Sequence, residues 1–133
     1  MKKEELVKKA VEARELSYSP YSNFKVGAAV LTKDGKVFVG SNVENSSYPL
    51  CMCAERNALY NAMMNGYKKH EFLALALAAD TDTPCSPCGA CRQVISELCA
   101  SDMPIYMANL KGDIKEVNIK ELLPYAFSEE DLK

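Results

Sequence analysis

The chain lacks a charge excess of either sign: 16 Lys and Arg against 18 Asp and Glu leave a formal net charge of −2. Nucleic-acid backbones are held by clustered Lys and Arg, so the composition argues against a nucleic acid as the main partner. It also lacks a long apolar run. The longest, Phe72 to Ala79, is eight residues, which cannot span a membrane. Met1-Lys2-Lys3-Glu4-Glu5 leads into an amphipathic segment rather than an apolar leader core, so a cytoplasmic protein is expected. There is a single histidine, His70, which follows two lysines and reads as solvated. No internal repeat, linker or low-complexity tract interrupts the chain, and residues 1–133 read as one domain.

What the sequence has in quantity is cysteine, six in 133 residues. With no leader, close-spaced cysteines point to metal ligands or reactive thiols rather than to disulfides. Hydrophobic residues at 48% and charged residues at 26% are ordinary for a soluble globular protein.

Periodicity organises the rest. Residues 4–17 read as a helix with Leu6, Val7, Ala10, Val11, Ala13 and Leu16 mainly on one face. Val26 to Leu31 reads as a buried strand, Asp34-Gly35 as a two-residue hairpin turn, and Lys36 to Val43 as the antiparallel partner. Cys53 to Asn65 predicts a second helix closed by Gly66, and Phe72 to Ala79 a central strand covered on both faces. Cys88 to Cys99 predicts a third helix, and Pro104 to Ala108 and Ile114 to Val117 short strands. Asn118 is placed to cap a helix at 119–123 that Pro124 stops. Met63, Met64, Met103, Met107 and Cys99 read as packing residues, and Arg92 as a surface charge. The expected class is α/β: a three-layer α/β/α domain around a mixed five-stranded sheet.

Two segments carry the chemistry. In Pro87-Cys88-Gly89-Ala90-Cys91, two cysteines separated by two residues can grip one metal ion from the first turn of a helix. Cys53, in Cys53-Ala54-Glu55-Arg56, offers a third sulfur. Zinc held by three protein ligands keeps a fourth position open for water, which is the catalytic arrangement. Helix N-termini favour thiolates, and Arg56 is expected to donate to their sulfurs and offset their charge. The competing reading is a structural zinc site closed by Cys51. A single residue between Cys51 and Cys53 is tighter than structural zinc knuckles use, and that reading leaves Ala54-Glu55 unexplained. Glu55 alone would be a surface helix residue. Two positions from a metal ligand it becomes a proton shuttle, able to move a proton from an attacking water to a ring nitrogen and then to a departing amino group. Cys51 and Cys85 read as free thiols beside the ligands, either redox-sensitive or buried spectators.

With both metal motifs read, the chain resembles the short, homotetrameric type of cytidine deaminase along nearly its whole length. The segments that carry the resemblance are Tyr21 to Ala29, Gly40 to Asn45, Cys53 to Arg56, Ser86 to Gln93, Glu121 to Pro124 and the tail around Phe127. The metal motifs are shared by several deaminase families; their combination with Tyr-Ser-x-Phe and Asn-Val-Glu-Asn is far more specific. The resemblance implies conversion of cytidine or deoxycytidine to the uridine product, and one zinc per subunit on Cys53, Cys88 and Cys91, with Glu55 as shuttle. It implies substrate contacts from Phe24, Asn42, Glu44, Ala54, Tyr48 and Phe127. Asn42 and Glu44 would hold the ribose, Phe24 would wall the pyrimidine, and Phe127 and Tyr48 would act across a subunit interface. Two-residue spacing on an extended strand points Asn42 and Glu44 the same way, with Val43 packed behind. Without the resemblance, the same pair reads equally well as a solvated strand end, and the aromatics as core.

Three rivals remain on sequence grounds: a blasticidin-S-type nucleoside deaminase, a nucleic-acid-editing deaminase, and a non-catalytic zinc module. The first lacks the Asn-Val-Glu-Asn segment in this form, and the second would need a basic stripe with stacking aromatics. Expected partners are therefore a small nucleoside and further copies of the chain, with no nucleic acid and no membrane.

Overall fold

In a computed structural model that describes all residues 1–133, five strands make one mixed sheet in the order β2-β1-β3-β4-β5. These are β1 (Val26–Thr32), β2 (Val37–Ser41), β3 (Phe72–Ala79), β4 (Ile105–Asn109) and β5 (Ile114–Val117). β1 runs antiparallel to both β2 and β3, β3 and β4 are parallel, and β5 returns antiparallel to β4. The helices are α1 (Lys3–Ala13), α2 (Ala54–Met64), α3 (Gly89–Leu98) and α4 (Ile119–Leu122). α3 is the crossover that joins the parallel pair β3 and β4.

The run Phe72 to Ala79 explains the three layers. Successive side chains on a strand point to opposite faces. Leu75 and Leu77 enter the core under α2 and α3, with Ala58, Leu59, Ala62, Ile95 and Leu98. Ala74, Ala76 and Ala78 face the other way, against Leu6, Val7 and Ala10 of α1. Small residues on the α1 side let that helix lie close to the sheet. A Cβ on Gly27 would come within 1.9 Å of the Ala10 carbonyl oxygen. The expected three-layer α/β/α domain with a five-stranded mixed sheet is the fold observed. No helix is long and apolar enough to cross a membrane.

Several local expectations need correction. The first helix ends at Ala13 and tightens into a single 3-10 turn over Arg14–Leu16. The change of pitch turns Leu16 out of the apolar stripe, leaving it 67% exposed. The β1–β2 turn is longer than the two-residue type. Thr32 N–H donates to the Lys36 carbonyl and Gly35 N–H to the Thr32 carbonyl, and Gly35 takes the left-handed φ of +88°. β2 stops at Ser41, so Val43 does not pack behind its neighbours and is exposed. Met64 is likewise exposed at the last position of α2, whereas Met103 and Met107 are core. Cys99 is buried and His70 exposed, as expected. Asn118 does cap α4, reciprocally with Glu121. Arg92 is no surface charge: half-buried, it donates from Nε to the Pro87 carbonyl at 2.8 Å and from Nη1 to the Leu122 carbonyl at 2.8 Å.

Candidate metal centre and active site

The two cysteine segments meet because α2 and α3 begin at the same end of the sheet. Cys53 is the N-cap residue of α2 and Cys88 the N-cap residue of α3, both with extended backbone, and neither side chain caps its own helix. Cys91 lies in the first turn of α3 and is fully buried. The three Sγ atoms lie within 4.8 Å of one another, with Cys53 and Cys88 3.6 Å apart. Tetrahedral zinc with sulfurs at ~2.3 Å requires S···S spacings of about 3.8 Å. Three soft thiolate donors at that spacing fit one zinc ion per subunit. Cys51 is not a fourth ligand: its sulfur is occupied by the Asn45 backbone, accepting from the N–H at 3.3 Å and facing the carbonyl at 3.6 Å. All six cysteines are free.

The electrostatics distinguish the ligands. The Cys53 thiol is pulled down to about 5, first by hydrogen bonding from Cys91 and then by Arg56 and Cys88, against the opposing effect of burial. Cys91, the donor to Cys53 and itself buried, is pushed up. Arg56 Nη2 lies 3.5 Å from the Cys53 sulfur and its own pKa is raised by that contact. Its buried Nε has no partner within the chain.

Glu55 follows at the second position of α2, only 3% exposed. Burial is the main cause that pushes its carboxyl up to about 7. It faces a cavity of about 210 Å³ that also contains Phe24, Asn42, Cys53, Ala54 and Cys88. A second cavity of about 350 Å³ adjoins it at Asn42 and Cys53, and is lined by Ser22, Glu44, Tyr48 and Cys51. The structure therefore gathers the metal ligands, Glu55, Phe24, Ala54, Asn42, Glu44 and Tyr48 around two connected spaces. Phe127 is not among them. It lies beyond α3 with His70 and Ser96, 58% exposed. The largest cavity, about 490 Å³ between α3, α4 and the tail, is lined by Ser96, Ile119, Leu123 and Tyr125 and has no thiol, carboxylate or imidazole in its wall.

Asn42 and Glu44 do more than face outward. The Asn42 Oδ1 accepts from Val26 N–H at 2.9 Å and from Ser17 Oγ at 2.6 Å, and its Nδ2 donates to the Phe24 carbonyl at 2.7 Å. Glu44 accepts from the Tyr21 and Ser22 N–H groups at 3.0 and 3.1 Å and from the Ser22 hydroxyl, which lowers its pKa. Ser22 Oγ in turn accepts from Phe24 N–H at 3.0 Å. The pair thus pins the loop that carries Phe24.

Sequence reasoning gave no site role to Val26, Leu77 and Ser86 in the first cavity or to Ser22 in the second. Ser22 stood within the Tyr-Ser-x-Phe segment, and a hydroxyl two residues before an aromatic was the available signal. Cys85, expected as a free thiol beside the ligands, forms part of the first cavity's wall, and burial holds its thiol up at about 11.

Comparison with known proteins agrees with this geometry. Residues 1–107 match the family model described as the cytidine and deoxycytidylate deaminase zinc-binding region. A cytidine deaminase from Halalkalibacterium halodurans is 52% identical over 132 residues, 99% of this chain and 98% of that protein. One from Sporosarcina psychrophila is 54% identical over 129 residues, 97% and 93% of the two chains. The crystal structure of cytidine deaminase from Burkholderia pseudomallei superposes with a TM-score of 0.94 at 51% identity, covering 96% of this chain and all of that one. A chain with this sheet, these three sulfurs and these relatives belongs to the zinc-binding cytidine and deoxycytidylate deaminase family.

Proposed function

We infer that this chain catalyses the hydrolytic deamination of cytidine and deoxycytidine to uridine and deoxyuridine, with release of ammonia. The observation that carries the inference is the buried Glu55, with its carboxyl raised to about 7, in one cavity with Cys53 and Cys88. A carboxyl in that range can both take and give a proton near neutral pH. The relatives at 52–54% identity bear the name cytidine deaminase, which disfavours the blasticidin-S-type alternative.

When bound on Cys53, Cys88 and Cys91, zinc supplies the Lewis acidity that lowers the pKa of a water. The chain's own residues do the rest. Phe24 and Ala54 confine the pyrimidine ring in the smaller cavity and exclude bulk water. Glu55 receives a proton from the attacking water and passes it to ring nitrogen 3 as the water oxygen bonds to carbon 4. It then moves the second proton to the amino nitrogen. The carbon–nitrogen bond breaks, ammonia departs, and the carbon 4 carbonyl of the product remains. Arg56 offsets the charge of the ligand sulfurs.

The sugar occupies the adjoining cavity. Asn42 Nδ2 has a second N–H beyond the one given to Phe24, and the Glu44 carboxylate retains acceptor capacity beyond its three donors. Each can therefore meet a ribose hydroxyl without releasing the loop. Tyr48, 70% exposed at the rim, and Phe127, remote from its own subunit's cavity, act between subunits of a homotetramer. The setting is pyrimidine salvage in the cytoplasm. Ammonia release from cytidine by the zinc-loaded protein, measured with sedimentation across dilution, tests both parts. No ammonia overturns the activity, and full activity in a dilute monomer overturns the shared site.

A further inference from the structure

The first turn of α3 does two jobs at once. One side presents Cys88 and Cys91 to the metal site. The next two residues, Arg92 and Gln93, hold the C-terminal segment. Arg92 donates to the Leu122 carbonyl, and Gln93 Nε2 donates to the Phe127 carbonyl at 2.9 Å. Arg92 also donates to the carbonyl of Pro87, the residue immediately before Cys88.

Both acceptors that Arg92 meets need a donor. Pro87 is fully buried, and its carbonyl precedes the N-cap of α3, outside the helix ladder. A buried carbonyl without a partner is costly. Leu122 ends α4, where terminal carbonyls have no partner inside the helix. A guanidinium is a rigid planar fork, so two N–H groups of one side chain fix the two carbonyls relative to each other. The ammonium of lysine is a single flexible point charge and cannot hold that geometry.

We propose that Arg92 is a positioning residue that clamps the Cys88 end of the metal loop to the C-terminal segment, so that zinc retention and tail order are coupled within one subunit. Gln93 extends the clamp to Phe127. The proposal rests on the functional reading in one respect: if Phe127 serves a neighbouring subunit, the metal loop of one subunit sets the aromatic contact of the next. Groups hydrogen-bonded to metal ligands typically change metal affinity by about 10–100-fold when removed, and Arg92 acts one residue further out, through the Pro87 carbonyl.

The test uses the full-length zinc-loaded protein, with metal content measured first, and needs no substrate. Zinc transfer to a chromogenic chelator and hydrogen exchange over residues 119–133 are followed in the wild type and in Arg92→Lys. The variant is expected to release zinc several-fold faster, up to about 10-fold, and to lose protection across 119–133 while zinc is still bound. Stripping zinc from the wild type should expose the same segment, an arm that stands even if the variant does not fold. Gln93→Ala should loosen the tail near Phe127 and leave zinc release unchanged. Wild-type release and protection in a folded Arg92→Lys overturn the clamp. So does a change in only one of the two readouts, or a tail whose protection ignores zinc removal. A protein that holds zinc and meets these expectations yet leaves cytidine untouched refutes the activity and leaves the clamp intact.

Discussion

The guanidinium of Arg56 lies 3.5 Å from the sulfur of Cys53, three residues before it on the same turn of α2. Three thiolates outweigh the charge of one zinc ion, and a cation one turn along the helix offsets that excess. Arg56→Ala should therefore weaken zinc retention by about 10–100-fold, the range found for partners of metal ligands. It should also raise the Cys53 thiol from its value of about 5, because Arg56 is one cause of the lowering. Chelator competition and thiol titration of the metal-free variant check the two parts.

Glu55→Gln keeps the size of the side chain and removes its capacity to carry a proton. Glu55 is 3% exposed and shares its cavity wall with Phe24, Val26, Ala54 and Leu77, so a neutral amide of the same size is accommodated. Turnover of cytidine should fall by at least about 10²–10⁴-fold, the usual contribution of a placed acid/base. Zinc stoichiometry and the affinity for a non-reactive nucleoside should be close to wild type. Near-normal turnover removes Glu55 from the mechanism.

The metal centre was legible in the sequence because each ligand stands at a helix start, and helix starts are marked by short-range signals such as Pro87 before Cys88. The three layers were legible because Phe72 to Ala79 is apolar throughout, as a strand covered by helices on both faces must be. What escaped notice depended on contacts between distant segments. Arg92 looked like a surface charge because nothing local shows that Leu122, thirty positions on, brings its carbonyl to the guanidinium. Asn42 and Glu44 were read for their direction on a strand. Their grip on residues 17–26 depends on a loop whose return path the sequence does not encode locally. Leu16 and Val43 were misplaced because each lies just past the end of a regular element, where periodicity stops carrying information.

The grip of Glu44 on the Tyr21-Ser22 loop predicts an acid dependence. Its pKa is lowered in the folded protein, chiefly by the Ser22 hydroxyl. A carboxyl depressed on folding contributes stability in full above its unfolded value near 4.5 and loses it as pH falls through the lower folded value. Thermal melts between pH 6 and pH 3 should therefore show a steeper acid loss in the wild type than in Glu44→Gln, which has no carboxylate to protonate. Equal slopes would mean that the loop contact contributes nothing to folding.

Asn42 makes a sharper prediction, because its amide serves the backbone at two points, Val26 N–H and the Phe24 carbonyl, and the Ser17 hydroxyl at a third. Asn42→Ala leaves Val26 N–H and the Phe24 carbonyl without that partner. A loss of about 0.5–1.5 kcal/mol per hydrogen bond is expected, because one site is part-buried and the other exposed to water. Asn42→Asp keeps the acceptor for Val26 but sets a carboxylate oxygen against the Phe24 carbonyl, so it should be at least as destabilising as Ala near neutral pH and recover as the carboxyl protonates. If both variants melt like wild type but bind nucleoside poorly, Asn42 acts on the sugar alone.

The close approach of β2 to α2 gives a test that reaches the metal through the fold. A Cβ added at Gly40 would fall 2.3 Å from the Ala58 nitrogen and 2.7 Å from the Ala54 carbonyl oxygen. Both are backbone atoms of the helix that begins at the Cys53 cap and carries Glu55, so neither can swing aside as a side chain would. Relief requires α2 to shift away from the sheet, and overpacking of this kind costs about 1–3 kcal/mol or more. Gly40→Ala should therefore lower the melting temperature and, in the same variant, accelerate zinc loss, because Cys53 moves with the helix while Cys88 and Cys91 do not. Gly89→Ala is the control: a Cβ there meets nothing within 4 Å, so its melting temperature should not fall. If Gly40→Ala melts early but retains zinc as firmly as wild type, α2 adjusts without carrying Cys53 along, and the geometry of the three sulfurs is independent of the β2–α2 contact.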